Sequence, residues 1–331
     1  MFKIIRRVSI GVLIVTAMVA CRGFNSSSSN ATSSKSAPLF QLIILPEAGS
    51  KPVLDLLNSA QRSIRMTMYL LSDRDVMDAL KSARGREVDV RVLIEAQPTG
   101  NVTVNQQTIK DLQAANITVK TSNPAFRLTH QKSIVIDERL AFITTANLTR
   151  ASFTTNREYG IIDSNPDDIA EIINVFEADW KRTLPTVSNA NLVWSPPNAR
   201  SRLLSFIDGA TKTLDIQAEE IQDKQVEDAI TNAVKRGVQV RLITSPATNA
   251  NKIDQTSIER LGRANVQVRW VKTPYIHARM MVADNARAFI GSENFSTTSL
   301  DSNRELGILI TDSKIVQTLS STFASDWNIG K

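Results

Sequence analysis

Apolar side chains at Val76, Ala79, Leu80 and Ala83 fall three or four residues apart and stop at Gly85, the spacing of a helix with one buried face. Val226, Ala229, Ile230, Ala233 and Val234 repeat that spacing and stop at Gly237. A mostly apolar run follows each, at 88–94 and 238–243, and predicts a buried strand. Further along, 132–136 and 140–144 read as two strands joined near Asp137, and 280–283 with 287–291 repeat the hairpin. Strands alternating with helices predict an α/β layer structure on each side of the chain's midpoint.

The pattern is written twice. Phe176, Asp179 and Trp180 recur as Phe323, Asp326 and Trp327 at an offset of 147 residues. Val88, Val90 and Arg91 answer Val238, Val240 and Arg241 at an offset of 150, as Pro46 answers Pro196 and Ala60 answers Ala210. A repeat of this length is domain-sized. It predicts two similar halves, 38–186 and 187–331, packed against each other, and excludes a solenoid. Trp180 and Trp327, with their phenylalanines, are expected to anchor the closing helix of each half in its core.

The chemistry is doubled as well. His130 and His277 are the only histidines, and each opens one spaced signature. The first copy reads His130, Lys132, Asp137, Thr144, Thr145, Asn147; the second reads His277, Arg279, Asp284, Gly291, Ser292, Asn294. In both copies an acid follows eleven residues after the asparagine, as Glu158 and Glu305, each preceded by Asn-Arg. One active site built from two halves is the expectation. Residues two apart on a strand share a face, so His130 and Lys132 can address one ligand, as can His277 and Arg279. The returning strand brings Thr145 and Asn147, or Ser292 and Asn294, to the same end, where Thr145 and Ser292 are candidates for substrate contact. Asp137 and Asp284 stand at the turn with opposite parity, which suits them to pinning the hairpin.

Composition alters this picture chiefly at the N-terminus. With 331 residues, 42% hydrophobic and 22% charged, the chain can bury two cores, and general disorder is excluded. Lys3, Arg6 and Arg7 precede an apolar run at 8–20, shorter than the roughly 20 residues a membrane span needs and laid out as a secretory signal. Small residues before Cys21 resemble a bacterial lipoprotein processing site, which would make Cys21 an acylated first residue. The expected layout is a signal at 1–20, a serine-rich tether at 21–37, and a lipid-anchored protein of the cell envelope outside the cytoplasm. With the lone cysteine so used, the folded part needs neither disulfide nor thiol site. Three of the six net positive charges belong to the signal, so bulk charge points to neither nucleic acid nor anionic lipid.

The paired signatures with their downstream glutamates resemble the doubled His-Lys-Asp motifs of the phospholipase D superfamily, over about 39–327. The resemblance implies an α-β-α-β-α sandwich whose halves are related by a pseudo-two-fold axis, with the active site between them. It implies metal-independent phosphodiester cleavage, in which one histidine attacks phosphorus to give a phosphohistidine and the other protonates the leaving alcohol. In single-chain relatives the first histidine usually attacks, which assigns His130 as nucleophile and His277 as acid. Such chemistry needs a nucleophile, a proton donor and positive donors around the phosphoryl oxygens. Lys132, Arg279, Asn147 and Asn294 would hold those oxygens, and Glu158 and Glu305 would fix the histidine tautomers. No cofactor is implied, and no Cys/His grouping has metal-ligand spacing. Two departures stand out: Arg279 where lysine is usual, and Thr144 where glycine is usual. The expected substrate is a phospholipid at a membrane surface, with nucleic acid the alternative, although 5% aromatics are few for stacking bases. A non-catalytic envelope binding protein is a further alternative. Two motifs in one chain remove the need for a dimer, so a monomer is expected.

Overall fold

Each of the two expected hairpins stands at the centre of its own sheet in the computed structural model, which describes residues 39–100, 102–246 and 255–331. The expected signal, tether and Cys21 lie outside the described residues. The first half contributes strands β1 (Phe40–Leu45), β2 (Ser63–Met68), β3 (Asp89–Ile94), β4 (Thr118–Thr121), β5 (Ser133–Ile136), β6 (Leu140–Thr144) and β7 (Asn156–Asp163). The second contributes β8 (Leu192–Ser195), β9 (Thr213–Ala218), β10 (Gln239–Thr244), β11 (Gln267–Trp270), β12 (Tyr275–Ile276), β13 (Arg279–Ala283), β14 (Arg287–Gly291) and β15 (Glu305–Ile310). Strand order is β1-β7-β6-β5-β2-β3-β4 in one sheet and β8-β15-β14-β13-β9-β10-β11 in the other, the same order half for half. Within each sheet the three strands at one edge run parallel and the rest antiparallel.

The alternation of side chains along the hairpins builds the layers. Ile134 and Ile136 of β5 enter an outer core, where helices α1 (Lys51–Asn58) and α2 (Arg74–Gly85) bring Leu57 and Leu80. Val135 points the other way, into a central core. In the second half Met281 and Ala283 face the outer helices α6 (Ala199–Asp208) and α7 (Lys224–Lys235), while Met280 and Val282 face the centre. Both faces are covered, which is why these strands read as unbroken apolar runs. The central core is filled by the helices closing each half, α5 (Pro166–Lys181) and α10 (Ser313–Ile329), through Ile169, Ile172, Val175, Val316, Leu319 and Phe323. The layer order is therefore α-β-α-β-α. Trp180 stacks on Phe176 and Trp327 on Phe323 at the ends of these two helices.

Helix ends correct one detail of the sequence reading. After α7 the left-handed residue is Gly237 (φ 88°), but at the equivalent place after α2 it is Glu87 (φ 68°), with Gly85 still inside the helix. The return bonds are the same in both, Val88 N to Ala83 O and Val238 N to Ala233 O, each 3.1 Å.

The hairpin turns are pinned by their aspartates. Asp137 and Asp284 both sit at positive φ. The Asp137 carboxylate accepts main-chain N–H bonds from Gln61 (2.9 Å), Arg62 (2.7 Å) and Ser63 (2.8 Å). Asp284 does the same for Thr211 (2.9 Å), Lys212 (2.6 Å) and Thr213 (2.9 Å). Burial pushes the Asp284 carboxyl up, but these donors outweigh it and hold it at about 2.

The halves exchange short pieces of main chain. Strand β12 of the second half pairs in parallel with β7 of the first, Tyr275 opposite Asn156 and Ile276 opposite Arg157. Reciprocally, Thr129 bridges Arg304 just before β15. Buried ion pairs accompany the exchange. Arg157 grips Asp326 of α10 with Nε (2.8 Å) and Nη2 (2.9 Å), and Arg304 meets Asp179 of α5 with Nε at 2.8 Å and Nη2 at 3.1 Å. Truncating one partner strands a buried charge. Asp326→Ala, which leaves Arg157 only Glu47 as counter-ion and Gln217 without its acceptor, should therefore lower stability to urea by about 3 kcal/mol.

Candidate active site

The segments leading into β5 and β13 deliver His130 and His277 to one cavity of about 1020 Å³, also lined by Tyr69, Asn147, Glu219, Arg279 and Asn294. Main-chain bonds set their positions. His130 N and Gln131 N both donate to Arg304 O at 2.9 Å, and His277 N donates to Arg157 O at 3.3 Å. The residue after each arginine is the motif glutamate, so each glutamate arrives beside the histidine of the other half. His130 Nδ1 lies 2.8 Å from Glu305 Oε2 and 3.1 Å from Ser292 O. His277 Nδ1 lies 2.7 Å from Glu158 Oε1. Arg279 Nη1 is 3.1 Å from the same nitrogen and donates to His277 O at 2.5 Å; a proton on Nδ1 faces the nearer Glu158 carboxylate. Both rings thus keep Nε2 for other work. Further donors fix the glutamates: Ser299 Oγ (2.6 Å) and Asn303 Nδ2 (3.1 Å) on Glu305, and Thr145 Oγ1 (2.6 Å) on Glu158.

The two histidines are not equivalent. Burial, aided by the charges of Lys132 and Arg279 and opposed by Glu305, holds His130 down at about 4, a neutral imidazole near neutrality. Lys132 is fully buried behind it, donating to His130 O at 2.7 Å, with Nζ 5.1 Å above the Tyr69 ring. Burial and the neighbouring Arg279 bring Lys132 down to about 7. Tyr69 also meets the His130 ring edge-on at 4.5 Å. At the matching place in the second half Arg279 donates Nε to Asn294 Oδ1 at 2.6 Å and pairs Nη2 with Glu219. Glu219 Oε2 stands 3.6 Å from His277 Nε2. Burial raises the Glu219 carboxyl, but His277 and Arg279 outweigh it, so it stays below the usual range.

Thr145 and Ser292, expected to touch substrate, do not reach the cavity. Both are fully buried: Thr145 is bonded to Glu158, and Ser292 Oγ accepts from Leu306 N at 3.1 Å, so they support glutamate strands. Asn147 and Asn294 do line the cavity, and Asn147 Oδ1 is buried without a partner among the described residues. Tyr69 and Glu219 escaped the sequence reading because they occupy the same position in the two halves and differ in type, where the search was for likeness. The arginines of the Asn-Arg-Glu repeats were visible, but spacing gave them no role.

The threonine at 144 has a structural explanation. In the second half the place is Gly291, and a Cβ there would run into Glu293 Oε2, the Gly307 main chain and the Phe289 ring. In the first half the counterpart of Glu293 is Ala146, and the Thr144 side chain takes that room, donating to Tyr159 O (2.9 Å) and accepting from Ala146 N (3.0 Å). Glu293 is fully buried, neither oxygen has a partner among the described residues, and burial followed by the charge of Glu305 pushes its carboxyl well above the usual range.

Comparison with known proteins places this geometry. The family described as cardiolipin synthase, PLD-like domain, matches residues 53–180 and again 203–327. Phospholipase D Z of Dictyostelium discoideum is 23% identical over 359 residues, covering 83% of each chain. Cardiolipin synthase A of Pseudomonas fluorescens is 32% identical over 116 residues, which span 34% of this chain and only 24% of that relative. Among solved structures, phosphatidylserine synthase from Haemophilus influenzae Rd KW20 superposes with a TM-score of 0.69 over 88% of this chain and 87% of that one. At 11% identity that likeness is one of fold.

The exchange between positions 144/146 and 291/293 can be tested by non-additivity. Gly291→Thr alone should destabilise by about 1–3 kcal/mol through overpacking against Glu293. Adding Glu293→Ala should recover part of it, a coupling of about 0.5–3 kcal/mol read from urea midpoints, because the Gly307 main chain and the Phe289 ring still crowd the new side chain. Relative to the parent, Glu293→Ala should become more stable as pH rises above about 4.3, because burial keeps the proton on the native acid after the unfolded chain has released its own.

Proposed function

Since the chain belongs to the cardiolipin synthase, PLD-like domain family, we propose that it cleaves the headgroup phosphodiester of a phospholipid through a phosphohistidine on His130. The observation that carries this reading is the crossed pair of His–Glu contacts around one cavity, which leaves Nε2 of each ring for chemistry. The neutral His130 supplies the lone pair: Nε2 attacks phosphorus, the bond to the leaving alcohol breaks, and the alkoxide takes a proton from His277 Nε2. In the second step His277 takes a proton from water, the oxygen attacks phosphorus, and the P–N bond breaks with its electrons returning to His130. Phosphatidic acid and the free alcohol are the products.

Arg279, Asn147 and Asn294, which line the cavity, stabilise the charge on the phosphoryl oxygens, each lost donor costing on the order of 2–4 kcal/mol of barrier, and the buried Lys132 adds its charge from behind His130. The names of the relatives, a phospholipase D and a cardiolipin synthase, support a lipid substrate. The synthase name also supports an alcohol in place of water as second-step acceptor. Acylation of Cys21 would tie a monomeric protein to an envelope membrane and so keep the site beside its substrate.

The assay is headgroup release from phosphatidylethanolamine and phosphatidylglycerol vesicles with EDTA present. His130→Ala and His277→Ala should each lower kcat by about 10³-fold or more; full rate in both variants refutes the site. Cleavage of single-stranded DNA with vesicles left intact would move the substrate to nucleic acid. The pH profile of kcat/KM should fall below about 4, where His130 becomes protonated, and above about 7, where Lys132 loses its charge. Lys132→Arg should remove the part of the alkaline fall that comes from Lys132, because a guanidinium remains charged, and leave the part set by His277 as proton donor.

A further inference from the structure

Glu219 and Tyr69 occupy equivalent positions in the two halves, 150 residues apart, as do Arg279 and Lys132 at an offset of 147. In the first half an aromatic face covers an ammonium; in the second a carboxylate pairs with a guanidinium. Two consequences follow for anything bound between the histidines. The charge of Arg279 is already answered by Glu219, so this cation attracts a phosphoryl group less than Lys132 does. A group beside His277 Nε2 also meets the Glu219 carboxylate, 3.6 Å from that nitrogen. Glu220 lines the same cavity. Arg127, exposed on the segment that leads to His130, lines it too. The His277 half faces the cavity with two carboxylates, Glu219 and Glu220, against the one guanidinium of Arg279, and the approach to His130 faces it with Arg127.

We infer that Glu219 is a specificity-determining residue that filters leaving groups by charge. It admits phosphodiesters whose leaving alcohol is neutral or cationic and rejects those whose leaving group carries a further negative charge. This rests on the reading of His277 as proton donor, which puts the departing oxygen, and whatever it carries, beside Glu219. A like charge held that close in a site shielded from solvent is repelled strongly, and an ammonium is attracted. A strand of nucleic acid, whose leaving side bears the next phosphate, falls in the rejected class.

Calorimetric titration of the full chain with phosphoethanolamine, glycerol 1-phosphate and pyrophosphate tests the filter without turnover, because these ligands present a cationic, neutral or anionic group beside one phosphoryl group. The wild type should bind phosphoethanolamine at least about tenfold more tightly than pyrophosphate, with glycerol 1-phosphate between. Glu219→Gln should shrink that ratio to about threefold or less, mainly by tightening pyrophosphate. Because glutamine leaves Arg279 without its counter-ion, a second variant, Glu219→Tyr with Arg279→Lys, rebuilds the first half's pair and should shrink the ratio equally, with a cooperative melt reporting that each variant is folded. An unchanged ratio in a folded variant overturns the filter and leaves the phosphodiesterase reading standing. Failure of all three ligands to bind the wild type overturns the phosphoryl site on which both rest.

Discussion

Two main-chain contacts hold this architecture to its purpose: the residue before each motif glutamate offers its carbonyl to the histidine segment of the opposite half. Consecutive residues on a strand point to opposite faces. Once Arg304 and Arg157 are docked in this way, their side chains turn toward the aspartates of the other half's closing helix, and the adjoining glutamates turn toward the other half's histidine. One Arg-Glu dipeptide thus joins the halves by its first residue and orients an imidazole by its second. A half folded by itself would lack both the glutamate that meets its histidine and the aspartate that its buried arginine grips. The site exists because the interface does.

The shared strand order of the halves makes their differences informative. Taken one position at a time, Thr144 and Arg279 look like losses from a doubled motif. Each is one member of a compensated pair. Thr144 fits because Ala146 leaves the space that Glu293 fills beside Gly291, and Arg279 fits because Glu219 stands where Tyr69 covers Lys132. The first exchange conserves packing, since volume leaves one position and arrives at its neighbour. The second changes the electrostatics of the cavity, and it falls on the half whose histidine has a carboxylate within 3.6 Å of Nε2.

Much of the fold was legible because period-2 and period-3.6 apolar patterns recur with their spacing intact, and both hairpins lie within a residue of where those patterns put them. The candidate site was legible as a set of residues and not as a set of contacts. Spacing within one copy cannot say whether Glu158 meets His130 or His277; that choice is made by β12 and the segment at Thr129 crossing between halves. Strand parity also placed Lys132 beside His130 facing a common ligand, but both precede β5, and there the chain turns Lys132 inward to its neighbour's carbonyl. Thr145 and Ser292 sit beside residues that do reach the cavity, and only burial separates supporting side chains from contacting ones. Glu87 in place of the expected glycine shows the same limit, because composition cannot reveal which residue accepts a left-handed backbone.

Two identical imidazoles would be a poor pair for this chemistry, since a nucleophile must be neutral when its partner holds the proton to be delivered. Symmetry of the halves works toward equivalence, and the crossed glutamates, being alike, do not break it. What breaks it is the cation beside each ring and the way that cation is answered. At His130 burial keeps the lone pair free, and the charge of Lys132, which is covered by a neutral aromatic face, adds to it. At His277 the neighbouring Arg279 is matched by a full negative charge, and that same carboxylate looks at the nitrogen from which a proton would leave. The division of labour between the two copies therefore follows from one exchanged pair, aromatic and ammonium against carboxylate and guanidinium, placed on an otherwise repeated scaffold.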